Sequence, residues 1–139
     1  MTNTLKLVFD AFLSEMPEIP ENCKNEECKE LLCDYAKKVE KIIEPHILSR
    51  SLKHFTYNAE ETAEYWYDDF LKKIIPVTDA DFKSACGGIV FSMLCLIDGV
   101  SSENDFYEVK TTLIKTNYEE LHALWCEYTS KKCELLGYK

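Results

Sequence analysis

From Ala85 to Ile97 the chain runs for about thirteen residues almost without a polar side chain, and no other feature constrains the fold as much. At helical spacing Ala85, Cys86, Ile89, Val90, Met93, Leu94 and Ile97 share one face, while Phe91, Cys95 and Leu96 fill the opposite side. A helix that is apolar all round has to be enclosed by other elements. The run falls short of the roughly twenty residues that a membrane span requires, so it reads as a buried helix from about Asp79 to Asp98. Gly87 and Gly88 are poor helix formers and make sense where another helix must approach closely.

The enclosing elements are legible as amphipathic helices. The first spans about Asn3 to Met16, with Leu5, Val8, Phe9, Phe12, Leu13 and Met16 on one stripe and Pro17 as its stop. The second opens at Asn25 and carries Cys28, Leu31, Leu32, Tyr35, Ala36, Val39, Ile42 and Ile43 as far as Pro45. A shorter stretch follows, with Ile47, Leu48, Leu52 and Phe55 apolar. Asn58 with Glu61 then caps a helix whose inward stripe is Ala59, Ala63, Trp66, Phe70 and Ile74, closed by Pro76. Thr78 with Asp81 restarts the chain as the central helix. Gly99 stops it, and Ser101 or Ser102 opens a helix with Phe106, Val109 and Leu113 inward. Asn117 with Glu120 caps the last, with Leu121, Leu124, Trp125 and Tyr128 facing in. The expectation is a single all-α domain over residues 1–139, about seven amphipathic helices around one central apolar helix.

Composition narrows the function classes. The formal net charge is −9 and Arg50 is the only arginine, which argues against a nucleic-acid surface and against binding to anionic lipid. The apolar stretch Leu5 to Leu13 is interrupted by Asp10 and preceded by no basic region beyond Lys6, so it does not read as a signal peptide. Seven cysteines without such a signal imply a reducing compartment, with cysteine as a small core filler and no disulfide. The absence of a basic leader and of an apolar tail after Gly137-Tyr138-Lys139 sets the expectation of no integral membrane segment.

Catalytic patterns are missing. The sequence has no Gly-x-Ser-x-Gly elbow, phosphate-binding glycine loop or His-Glu-x-x-His. Glu119-x-x-His122 has the spacing of half a di-iron carboxylate site, but no second copy exists, and it reads as a solvated helix face. The expectation is therefore a protein that is not an enzyme and has no catalytic residues, metal or cofactor.

One resemblance is carried by the central helix. Asp81-Phe82-Lys83-Ser84-Ala85-Cys86-Gly87-Gly88-Ile89-Val90-Phe91-Ser92 looks like the Bcl-2 homology 1 motif, which opens Asn-Trp-Gly-Arg and runs into an apolar helix. Asp69-Phe70-Leu71-Lys72 resembles the end of the preceding helix in that family, and Leu5 to Met16 resembles its amphipathic homology 4 helix. The chain is thus similar to viral Bcl-2-like apoptosis regulators of the large-DNA-virus type. It departs at Lys83, in place of Gly, and at Ser84, in place of the Arg that in the family pairs with the ligand's Asp. Ser84 cannot form a bidentate charge pair, whereas Lys83 offers a point charge. The second helix has the spacing of a ligand-type homology 3 segment at Cys28, Leu32, Tyr35 and Val39, but Ala36-Lys37 stands where that motif has Gly-Asp. It reads as a wall of the groove.

The resemblance implies an inhibitor of apoptosis in the host cytoplasm, a viral protein acting at the host–virus interface. It would sequester the homology 3 helix of pro-apoptotic Bcl-2 proteins in a surface groove. The implied groove residues are Leu48, Leu52, Phe55, Tyr65, Trp66 and Phe70 on the walls, with Asp69, Asp81, Phe82, Lys83 and Ser84 at the polar end. A homodimer overlapping or bordering that groove is also implied. The alternative keeps the fold and gives it to blocking innate immune signalling through other faces.

Overall fold

The structure, a computed structural model, describes residues 3–19, 25–47, 59–73, 78–98, 113 and 120–135, without the side chains of 25–26 and 131–135. Among these it contains five α-helices and no strand: α1 (Asn3–Ser14), α2 (Asn25–Ile43), α3 (Ala59–Asp68), α4 (Asp79–Asp98) and α5 (Leu121–Leu135). Short 3-10 turns follow α2 at Glu44–His46 and α3 at Leu71–Lys73. The described residues are helical without strands, as the periodicity of the sequence implies. The expected helices around Leu52 and Phe106, and the caps at Asn58 and Asn117, lie outside the described residues.

α4 is the centre. Phe82, Ala85, Cys86, Ile89, Val90, Met93, Leu94 and Ile97 are buried completely, and Leu96 nearly so. By length and composition α4 would suffice to cross a membrane, yet just over half of its apolar window is buried among the other helices. It packs against α2, α3 and α5. Gly88 lies beneath the Trp66 indole of α3, where an added Cβ would stand 2.4 Å from a ring carbon. This is the close approach that the glycine pair implies, but it involves only one of the two. Gly87 has open space around it, and its carbonyl instead accepts the Trp125 indole N–H of α5 at 3.0 Å.

α1 buries Leu5, Val8, Phe9 and Phe12. It ends at Ser14, two residues short of the expectation, because Pro17 disfavours helical backbone just before it and the chain tightens into a turn, with Met16 N–H bonded to the Leu13 carbonyl at 3.3 Å. The orphan carbonyl of Phe12 is satisfied from outside the helix: Tyr35 Oη of α2 donates to it at 2.6 Å in a buried setting. Trp125 meets Phe9 and Phe12 edge-on, with ring centroids 5.2 and 5.8 Å apart, and so ties α5 to α1 as well as to α4.

Two expectations are corrected. The inward stripe of α3 is Ala59, Ala63 and Tyr67, continued by Leu71, with Trp66 and Phe70 only half-buried; a fourfold step puts Tyr67 directly below Ala63. Cys33, Cys86, Cys95 and Cys126 are free thiols, but Cys28 is disulfide-bonded. Spacing along a chain does not reveal which thiols meet in space, so the all-reduced reading fails at that residue.

Candidate functional site

The start of α4 is built by a reciprocal cap. Asp81 N–H donates to Thr78 Oγ1 at 3.1 Å, while Thr78 N–H and Oγ1–H donate to Asp81 Oδ2 at 3.2 and 2.8 Å. Thr and Asp three residues apart satisfy each other's backbone and place a negative charge at the positive end of the helix. Asp81 is therefore committed to holding the helix. Lys83 Nζ lies 3.3 Å from Asp79 Oδ2, one turn back on the same helix. Ser84 is exposed, and Phe82 has no exposed surface and belongs to the core. The four residues aligned with the homology 1 mouth thus divide into a cap, a core anchor, an intrahelical ion pair and an exposed hydroxyl.

An aromatic row runs along the edge of α3 that meets α4 and into the turn that follows α3. Tyr65 meets Trp66 edge-to-face at 5.6 Å between centroids, and Trp66 meets Phe70 at 6.1 Å. Trp66 is fixed by Gly88 beneath it and by its indole N–H, which donates to Ser92 Oγ at 3.0 Å. Tyr65 stands 57% exposed, and Asp69 is exposed beside the row. Of the expected groove residues, Tyr65, Trp66 and Phe70 come together on α3 and the turn that follows it. Leu48, Leu52 and Phe55 lie outside the described residues.

The concave surface that the described residues do form is different. A groove of about 540 Å3 runs between α2 and α3, lined by Glu27, Lys29, Glu30, Cys33, Glu60, Ala63 and Glu64. Ion pairs at 3.9 Å, Lys29 with Glu64 and Lys37 with Glu60, join the same two helices. Both pairs are largely exposed and add little to stability. Sequence reading missed this groove because its lining looks like ordinary solvated helix faces, and only the pairing of α2 with α3 makes it concave. The four apolar positions of α2 with homology 3 spacing, Cys28, Leu32, Tyr35 and Val39, are all buried in the core.

Two thiols of α4 are shifted away from ionisation. Burial pushes the Cys86 thiol up to about 12 from its ordinary 9.0, with Asp79 adding to the rise and Lys83 opposing it. Burial also raises Cys95 to about 11, helped by Asp98, Cys126 and Glu120. A catalytic thiol needs the opposite shift. The side chains that could hold a metal, Asp98, Glu120 and His122, lie at the far end of α4 from the Asp81 cap. No protein family, curated protein or solved structure matches the chain in comparison.

Proposed function

We propose that this chain is a Bcl-2-like inhibitor of apoptosis that holds the homology 3 helix of a pro-apoptotic protein against the aromatic row where α3 meets α4. One observation carries the reading: Tyr65, Trp66 and Phe70 form an aromatic row fixed to the central helix through Gly88 and Ser92, with Tyr65 left largely exposed. Rigid aromatics on a packed scaffold are the side chains that carry most binding energy in helix-in-groove contacts. Calorimetric titration with a panel of homology 3 peptides tests it. Tyr65→Ala should weaken the best peptide by roughly 1–2 kcal/mol without changing the helical spectrum, as truncation of an interface anchor does. A panel in which no peptide binds, or binding indifferent to Tyr65→Ala, would sink the proposal.

The second reading, a protein of the same fold that blocks innate immune signalling through other faces, is favoured by the mouth of α4. There Asp81 is engaged by Thr78 and Lys83 by Asp79, so neither stands ready for a ligand's charge. Capture of signalling adaptors in place of pro-apoptotic proteins would decide for it.

A further inference from the structure

Where the end of α4 meets the start of α5, the structure gathers chemistry that neither the core nor the proposed binding face uses. Asp98 is the one buried charged residue among the described residues, and its side chain has no exposed area. Its Oδ2 accepts the backbone N–H of His122 at 2.9 Å and lies 2.7 Å from His122 Nδ1. Glu120 Oε2 is 3.3 Å from the same ring nitrogen. One donor atom from each of Asp98, Glu120 and His122 lies within 4.8 Å of the others.

We propose that Asp98, Glu120 and His122 form a binding site for a divalent transition-metal ion of the zinc type. Zinc accepts imidazole nitrogen and carboxylate oxygen, and three protein donors with a fourth position open is the arrangement of zinc sites that keep a water or ligand. An imidazole donor disfavours calcium and magnesium, which take oxygen alone. A carboxylate can only accept, so the Nδ1···Asp98 contact assigns the Nδ1–H tautomer to His122 without metal. Moving that ring proton to Nε2 turns Nδ1 into a lone pair aimed between the two carboxylates, with no net loss of a proton. Asp98 Oδ2 keeps the His122 backbone N–H, so the start of α5 orients a ligating carboxylate, as supporting hydrogen bonds do around metal centres. Two thiols border the site independently of these contacts. Cys95 is one turn before Asp98 on α4, and Cys126 one turn after His122 on α5. The influence of Asp98, Glu120 and Cys126 on Cys95 places that thiol at the same corner.

The test is titration of the full chain with Co2+ alone, followed by Zn2+ displacement, in a non-coordinating buffer with the thiols kept reduced. One equivalent should bind, giving visible d–d bands that Zn2+ abolishes. Glu120→Gln and His122→Gln, both at partly exposed positions, should each weaken binding at least about tenfold with helicity retained. Absence of saturable binding overturns the proposal, as does binding unchanged in both variants. Binding lost in Cys95→Ser/Cys126→Ser but kept in the Gln variants also overturns it, because the thiols would then hold the metal without the carboxylate–imidazole set.

Discussion

At the level of single residues, the adjacent glycines of α4 show how two identical side chains carry different constraints. An alanine at position 88 would drive its Cβ into the Trp66 ring, and an indole held by Ser92 and flanked by Tyr65 and Phe70 has little room to yield. Gly88→Ala should cost about 1–3 kcal/mol through overpacking. At Gly87 an added methyl meets nothing within 4 Å, so Gly87→Ala should instead stabilise by up to about 1 kcal/mol through helix propensity. Urea unfolding of both variants checks the contrast, and equal effects would mean that Trp66 does not press on α4. The sequence suggested a close approach at the pair, but only the docking of α3 assigns it to one position. Titration gives a second residue-scale expectation. Cys86 is held as a neutral thiol to about 12 when folded, against 9.0 when exposed, and Tyr128 to about 12 against 10.0 through burial and its hydrogen bond to Asp10. Both folded values are raised, so the unfolded chain loses these protons first, and stability should be full below pH 9 and fall as the pH rises toward 12. Unfolding free energies at pH 8 and pH 10 should show that loss, and Cys86→Ala should reduce it; a flat profile over this range would contradict the buried thiol.

Helix ends were legible where the cap is local and hidden where it is not. Thr78 and Asp81 are three residues apart, so the start of α4 could be read from the sequence and is found there. Thr78→Ala should cost about 1 kcal/mol by removing both bonds of the hydroxyl while the Thr78 backbone N–H still reaches Asp81, whereas Thr78→Ser should cost much less. Thermal unfolding of the two variants would tell them apart, and equal losses would show that the methyl group matters more than the hydroxyl. The start of α5 is the opposite case. Asn117 with Glu120 has the local look of a cap, but the described acceptor for the His122 N–H is Asp98, 24 residues earlier. Similarly, the carbonyl of Phe12 is met by Tyr35, 23 residues later. No window along the chain contains either pair, and each exists only because α4 packs on α5 and α1 on α2. The candidate metal site was hidden for the same reason, since it needs the end of one helix and the start of another. The aromatics Tyr65, Trp66 and Phe70 were recoverable because α3 and the turn directly after it present them within six residues.

For the whole molecule, the central question is what covers the aromatic row when no ligand is bound. Among the described residues only Leu7 and Tyr65 are large hydrophobic side chains left exposed, and they stand on different helices. Isolated exposed apolar residues are normal on a folded protein and exert no strong pull toward association. Any pairing of two copies through α3 must also overcome electrostatic repulsion, because each chain carries a formal charge of −9. These two terms fix the form that self-association must take. A two-fold homodimer centred on the row should be weak at low ionic strength and tighten as salt shortens the screening length from about 30 Å at 0.01 M to about 8 Å at 0.15 M. Tyr65→Lys should not rescue it, since the substitution reduces the repulsion by one charge per chain but removes the aromatic contact that two copies would share. A homology 3 peptide that occupies the same row competes with the second copy and should shift the population to monomer by mass action. Sedimentation equilibrium across salt and peptide concentrations checks each step. A chain that stays monomeric at all salt concentrations refutes the dimer, and a dimer that persists at saturating peptide or in Tyr65→Lys moves the interface away from α3. Dissociation by added salt would mean that opposite charges, not the aromatic row, hold the two copies together.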